Sequence, residues 1–359
     1  MFGKDAFRPH FFSFGAGLVV AFLIAVLTTA ASPGLSVGVA DNNAFMTPDQ
    51  RGSQAAADLG LDSIRLFLWY KPGQTSLSSE QRTQLAWALA PGRRTLVSVT
   101  GQPVRTERGW RSPRGISSAV GRRAYVAFLR DLVRTFPAIR DVSVWNEPNY
   151  PLFWADRARA PQRYAALLAA AYDALHAKGV RVYGFELHPW RETERWVEGV
   201  GRWLRMSHRS RPLFDLVATH PYPRVPSEAP WVRHKRRTIL GMGDIQRLRS
   251  LLRRSFAHTA QKRLEIAYTE TGWTTAPRVG ITPQLQAKRM VQALELAYSQ
   301  RGVRFFMSFL LADDPDFWQT GFIANGWSGF KPVYWSYKDA VRRIRTGQVN
   351  RAQFPAAVL

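Results

Sequence analysis

The chain contains no cysteine. That absence excludes a disulfide scaffold, a zinc finger, an iron–sulfur centre and any thiol nucleophile. It does not exclude export, because 359 residues with 46 % hydrophobic content can bury a large core without covalent staples. Lysine is scarce, supplying 8 of the 50 basic residues while arginine supplies 42. Acidic residues are few as well, 26 against those 50, for a formal net charge of +24. A nucleic-acid protein shows clustered basic runs mixing both cations. Here arginine is spread along the whole chain, so no nucleic-acid partner is expected. The densest stretch, 231–263, carries ten basic residues against the single acid Asp244. It reads either as a solvated helix face or as a contact for an anionic glycan or a membrane surface.

The N-terminus has the pattern of an export signal. Lys4 and Arg8 precede an uncharged run from Phe11 to Leu27, which ends in Thr28-Thr29-Ala30-Ala31-Ser32-Pro33. A positive start, an apolar middle and small residues at the end predict a signal peptide over 1–31, cleaved after Ala31. If uncleaved, residues 11–27 are expected to anchor an outward-facing protein in the membrane. The expected localisation is therefore secreted, or exterior and membrane-anchored. Residues 32–359 keep 48 basic and 25 acidic residues and are expected to form one domain and a monomer.

From residue 35 to 346, short apolar runs alternate with longer periodic segments. Strands are expected at Leu35–Asp41, Ser63–Tyr70, Thr95–Gly101, Asp141–Trp145, Val180–Leu187, Phe214–His220, Leu264–Thr269 and Arg304–Leu311. Helices are expected near 48–59, 79–90, 117–135, 161–178, 193–206, 238–260, 283–300 and 333–346. Thr47-Pro48 and Thr282-Pro283 place a cap before a proline at the first helical position. Gly60, Gly179 and Gly302 stand where a left-handed residue ends a helix. Eight βα repeats predict an α/β fold, a closed (β/α)8 TIM barrel. The rival, a doubly wound open sheet, lacks a glycine-rich turn after the first strand.

Chemistry in such a barrel sits at the C-terminal strand ends. Those positions hold Asp41, Asn42, Arg65, Trp69, Tyr70, Gln102, Asn146, Glu147, Glu186, His188, Trp190, His220, Tyr222, Glu270, Trp273, Asp313 and Asp314. Lysine is missing among them, which argues against Schiff-base chemistry. Strand four ends Trp145-Asn146-Glu147-Pro148-Asn149, and strand seven ends Thr269-Glu270-Thr271-Gly272-Trp273. These strands face each other across a barrel mouth. Two carboxyl groups flanking a gap are what glycosidic cleavage requires, one as acid and one as nucleophile or base.

With these motifs the sequence resembles the clan A retaining glycoside hydrolases, cellulase-like barrels of the family 5 and family 39 type, over nearly all of 35–346. The resemblance implies an acid/base at Glu147 preceded by Asn146, and a nucleophile at Glu270. It also implies a supporting Arg65 on strand two and a His-x-Tyr at His220-Pro221-Tyr222 on strand six. The segment Gly321-Phe322-Ile323 … Phe330-Lys331-Pro332-Val333-Tyr334 is similar to the clan's ending. Many members carry a tryptophan platform at the end of strand eight, where this chain reads Phe309-Leu310-Leu311. Trp318 in the next loop is the candidate replacement. The implied substrate is a β-linked polysaccharide or oligosaccharide, and no cofactor or metal is called for.

The residues support these roles on their own terms. Arg65 lies in an apolar strand and needs a buried carboxylate partner. Pairing it with Glu270, helped by Tyr222, is expected to depress the Glu270 pKa. Glu147 must start protonated, which a nearby carboxylate and an aromatic cleft favour. Trp69, Trp145, Trp190 and Trp273 offer faces for sugar rings or belong to the core.

Plainer readings stand beside these. Glu147 could cap a segment and Glu270 could pair structurally with Arg65. Glu186 is a rival carboxylate on strand five, while Glu265 at the opposite barrel end reads as structural. Asp313 and Asp314 are expected to shape the last loop. His188 and His220 lack the spacing of a metal motif, and Gly34-Leu35-Ser36-Val37-Gly38 precedes a strand, which rejects a nucleophile elbow. A non-catalytic carbohydrate-binding barrel and an anionic-polymer binder are the alternatives from other functional classes.

Overall fold

The computed structural model describes residues 34–314, 318–349 and 351–359. The expected signal or anchor segment lies outside the described residues. Leu35–Leu359 forms one compact unit. Among the described residues, no helix is long and apolar enough to cross a membrane.

Eight parallel strands close into a barrel. They are β1 (Ser36–Ala40), β2 (Ser63–Trp69), β3 (Arg94–Thr100), β4 (Asp141–Val144), β5 (Arg181–Leu187), β6 (Leu216–Thr219), β7 (Glu265–Tyr268) and β8 (Val303–Phe309). Neighbours in sequence are neighbours in the sheet, and the ring closes where Ser36 pairs with Phe305 and Ala40 with Phe309. The main helices between and after them are α1 (Arg51–Asp58), α2 (Ser79–Leu89), α3 (Ala119–Thr135), α4 (Ala160–Leu175), α5 (Thr193–Met206), α6 (Ile245–Ser255), α7 (Pro283–Ser299) and α8 (Pro332–Arg345). Each expected strand has its counterpart, because strands buried on both faces read as continuous apolar runs.

Local signals fared unevenly. Thr282 caps α7 by accepting the Leu285 N–H, with Pro283 at the first position. Thr47-Pro48 does not open a helix. The Asp49 carboxylate takes the Arg51 N–H instead, so α1 begins three residues beyond Pro48 with no side-chain cap. Gly179 does stop its helix in the left-handed conformation, at φ 72°. A hairpin of Val104–Thr106 and Gly109–Arg111, unforeseen in the sequence, stands in the loop after β3.

Inside the barrel, Leu96, Tyr183, Leu216, Ala218, Ala267, Phe305 and Met307 form an apolar layer. Below it, Asp141 accepts from Arg94 (2.9 Å), Arg181 (2.9 Å) and the Tyr183 hydroxyl (2.8 Å). Above it the buried polar groups gather around Arg65. At the closure, Asp41 Oδ2 accepts the N–H groups of Leu311 (3.0 Å) and Ala312 (3.2 Å). Burial raises the Asp41 pKa to about 6 against four backbone hydrogen bonds that lower it.

Candidate active site

Arg65 projects from β2 into the barrel and is fully buried. A buried guanidinium must satisfy its donors. Its Nη1 donates to Glu270 Oε1 (2.7 Å), and Nη2 donates to Glu186 Oε2 (2.7 Å) and Asn146 Oδ1 (3.0 Å). Its Nε donates to Glu186 Oε1 (3.0 Å) and Ser98 Oγ (2.9 Å). Ser98 in turn donates to Glu186 Oε1 at 2.6 Å. The guanidinium also lies 4.3 Å from the Phe67 ring centroid.

The expected pair therefore forms, but Arg65 serves two carboxylates. Glu186, the rival on β5, is its bidentate partner. A distortion of β5 aims it inward: Phe185 and Glu186 have φ of 82° and 45°, and the pairing with β6 shifts register there. The Tyr164 hydroxyl accepts the displaced Phe185 N–H at 2.6 Å. Neither this distortion nor the link to Ser98 was foreseen from the sequence.

Beyond β4 the backbone also enters the left-handed region, at Trp145 (φ 68°) and Glu147 (φ 39°). Each such non-glycine residue costs on the order of 1 kcal/mol. The turn swings Glu147 over the mouth, with its Oε1 2.9 Å from His220 Nδ1. Asn149 ties down the adjoining loop, bonding the His188 N–H and the His188 and Arg191 carbonyls. Glu270 Oε2 accepts from the Tyr222 hydroxyl at 2.8 Å, and its Oε1 lies 3.5 Å from His220 Nε2. The sequence-predicted set of Glu147, Glu270, Arg65, Asn146, His220 and Tyr222 thus converges on one place.

The two carboxyl groups are unequal. Burial pushes Glu147 well above the ordinary carboxylic range, and the neighbouring Glu270 adds to that. Burial also raises Glu270, opposed by Arg65 and the Tyr222 hydrogen bond. The expectation that Arg65 brings Glu270 below its ordinary value is corrected: burial outweighs it. Arg65 is a single cation among three carboxyls and bonds only two of them, which leaves the third to hold a proton. Glu147, whose one side-chain partner is His220, is its natural holder. His220 stays neutral, because burial and then Arg65 drive its pKa well down.

Glu147, His220 and Glu270 each bring one ligand atom within 4.8 Å of the others, a spacing a metal would tolerate. The Arg65 charge beside Glu270 opposes a second cation there. His188 accepts the Trp190 N–H and stacks edge-on with Trp190.

The aromatics divide. Trp69 is half-buried, stacks on Phe67 at 5.4 Å and lines a cleft of about 1020 Å³ beside the mouth, together with Phe153, Phe309 and Gln102. Trp318 is 50 % exposed and stands edge-on to Phe309. Trp273 is corrected to a core residue: it is 1 % exposed and donates to the Glu228 carbonyl. Trp145 is likewise buried, bonded to the Phe153 carbonyl. Asp313 shapes the last loop by pairing with Lys331 Nζ at 3.0 Å, and Glu265 pairs with Arg304.

No protein-family model and no curated protein matches this sequence. Solved structures do. The chain is similar to a family 39 glycoside hydrolase from the gut symbiont Bacteroides cellulosilyticus WH2, with TM-score 0.61 and 14 % identity over 86 % of this chain and 63 % of that one. It is similar to the GH39 enzyme from Xanthomonas axonopodis pv. citri, with TM-score 0.55 and 19 % identity over 85 % and 65 %. It is also similar to GH5_18 from Streptomyces cattleya, solved in complex with GlcNAc, with TM-score 0.63 and 17 % identity over 88 % and 82 %. The chain spans less than two thirds of the length of the two family 39 structures. Its architecture, a closed (β/α)8 barrel, is the fold it shares with these solved structures.

Proposed function

We propose that the protein is an exported retaining glycoside hydrolase acting on β-linked sugars. The observation that carries this reading is the pair itself: Glu147 and Glu270 follow β4 and β7, offer oxygens within 4.8 Å of one another, and sit in unequal environments. Retaining pairs stand about 5–5.5 Å apart, whereas inverting pairs leave roughly 6.5–9.5 Å for a water.

In the first step a Glu270 oxygen attacks the anomeric carbon as its bond to the leaving oxygen breaks. The Glu147 proton passes to that oxygen. In the second step the Glu147 carboxylate takes a proton from water, whose oxygen attacks the same carbon and releases Glu270. Arg65 and Tyr222 hold Glu270 in its attacking orientation, and Asn146 is placed to meet the sugar 2-hydroxyl. Trp69, Phe309 and Trp318 supply apolar faces for further rings.

A screen over aryl β-glycosides and β-linked polysaccharides tests the reading, with the anomer of the first-formed product followed by NMR. Retained β-anomer is expected; the α-anomer, or no cleavage of any glycoside, overturns it. Azide should rescue a Glu147→Ala variant as the β-glycosyl azide and a Glu270→Gly variant as the α-glycosyl azide. Opposite anomers would exchange the two roles. Export is tested by N-terminal sequencing of the native protein: a start at Ser32 is expected, and cytosolic protein retaining Phe11–Leu27 would refute it.

A further inference from the structure

The basic stretch 231–263 is split by the fold. Arg237 pairs with Glu194 at 2.7 Å, Arg247 with Asp244 at 3.4 Å and Arg254 with Glu198 at 3.5 Å. Arg247 and Arg254 lie two helical turns apart on α6, on the side facing α5. Arg249 and Arg253, one turn apart, lie on another side. There they join Lys262, Arg263 and Arg301 around a pocket of about 700 Å³, at the start of β7. Among the described residues, none of these five cations has an aspartate or glutamate within ion-pair distance. The one acid in the lining, Glu265, is already bonded to Arg304.

The pocket lies at the N-terminal end of the barrel, opposite Glu147 and Glu270. Conserving stability does not account for it, since gathering like charges in a concavity is unfavourable. Burial chiefly lowers the Arg249 pKa, opposed by Tyr268, and the charges of Arg253 and Arg301 lower it further. Arg249 itself is tied to the Arg301 carbonyl and to a backbone oxygen of the last residue, Leu359, which fixes one wall. Guanidinium groups fork onto oxyanions, and a single carboxylate or phosphate engages one or two of them. Five cations around a volume in the range of ligand sites, roughly 300–1000 Å³, fit several oxyanions on one molecule. Among the described residues no aromatic side chain lines the pocket, so bases have nothing there to stack on. None of the large exposed apolar side chains lines it either, so nothing there inserts into a bilayer.

We propose that this pocket is a binding site, separate from the catalytic mouth, for a polyanionic saccharide bearing repeated carboxylates. The repeated oxyanion chemistry stands on the pocket alone; its being a saccharide rests on the glycosidase reading. The test is titration of the full protein with polygalacturonate oligosaccharides, read by calorimetry at low and at physiological salt. Binding that weakens at least tenfold in an Arg253→Gln/Lys262→Gln/Arg263→Gln variant with an unchanged melting temperature is expected. An Arg233→Gln/Lys235→Gln/Arg236→Gln variant removes the same charge from the same stretch outside the pocket and should keep the affinity. Equal losses in both variants would overturn the site in favour of diffuse charge. Binding of inorganic polyphosphate or of phosphatidylglycerol vesicles, with none of polygalacturonate, would overturn the saccharide assignment. Hydrolysis at Glu147 and Glu270 is read separately, so failure of one reading leaves the other standing.

Discussion

The barrel holds an ionic cluster at each end, and the two have opposite charge balances. At the bottom, one carboxylate, Asp141, serves two arginines whose side chains are 32 % and 46 % exposed. At the top, one fully buried arginine serves two carboxylates, with a third beside them. The bottom cluster has positive charge to spare and releases it to water, so it is a plug that needs no proton. The top cluster sets three carboxyl groups against one buried cation, and burial favours the protonated form of one of them. A barrel needs the first kind to close its floor. The second kind suits the proposed reaction, which consumes and returns a proton.

The comparison can be broken at several points, with effects of decreasing size. On the proposed mechanism Glu270→Gly should lower turnover by several orders of magnitude, because it removes the group that forms the covalent intermediate. Glu147→Ala should lose about 10²–10⁴-fold on substrates with poor leaving groups and far less on activated aryl glycosides. Steady-state kinetics on a leaving-group series checks both. If Asp141→Asn produced such a pattern instead, the assignment of chemistry to the top would fail.

Arg65→Met strands Glu186 and Glu270 without their cation and should destabilise the fold by about 3–5 kcal/mol, measured by denaturant unfolding. Asp141→Asn should cost less, about 1–2 kcal/mol, since Arg94 and Arg181 can turn to solvent. Equal costs would mean that the clusters do not differ as described.

The last comparison is a pH dependence, and near pH 4 its effect vanishes. Glu147 ordinarily titrates near 4.5, and its folded value is raised. The native state then holds a proton that the unfolded chain gives up, so this group's stabilisation is full below about pH 4.5 and is lost as pH rises through the folded value. Glu147→Gln removes that decline. Its melting temperature should match the wild type near pH 4 and exceed it near pH 8. The gain is at most about 1.4 kcal/mol for each pH unit between the ordinary and the folded value. A wild type that gains on the variant with rising pH would contradict a proton held at Glu147.

Much of this was legible in the sequence because buried parallel strands and their polar ends have distinct chemistry. Glu147 and Glu270 stood out as carboxylates directly after apolar runs. The Ser98–Glu186–Arg65 link did not, since it joins residues far apart in the chain through a distortion of β5 that no local pattern announces. Trp273 was open between a sugar face and the core because an indole with one polar atom suits a wet cleft and a dry core equally, and here the Glu228 carbonyl satisfies it inside. Thr47-Pro48 failed as a helix start because Asp49 offered a competing acceptor two residues later.

The seam at Asp41 has a bearing on how the chain is made. Its carboxylate clasps N–H groups 270 residues further on, and β1 has β8 as one of its two neighbours. During synthesis from the N-terminus, the first strand emerges early and waits with one edge bare until the last strand leaves the ribosome. An open edge of buried, apolar strand is prone to pair with other chains. Until Leu311 and Ala312 reach Asp41 its carboxylate lacks these two partners, which leaves an ionisable group at the end of the edge that the ring must close.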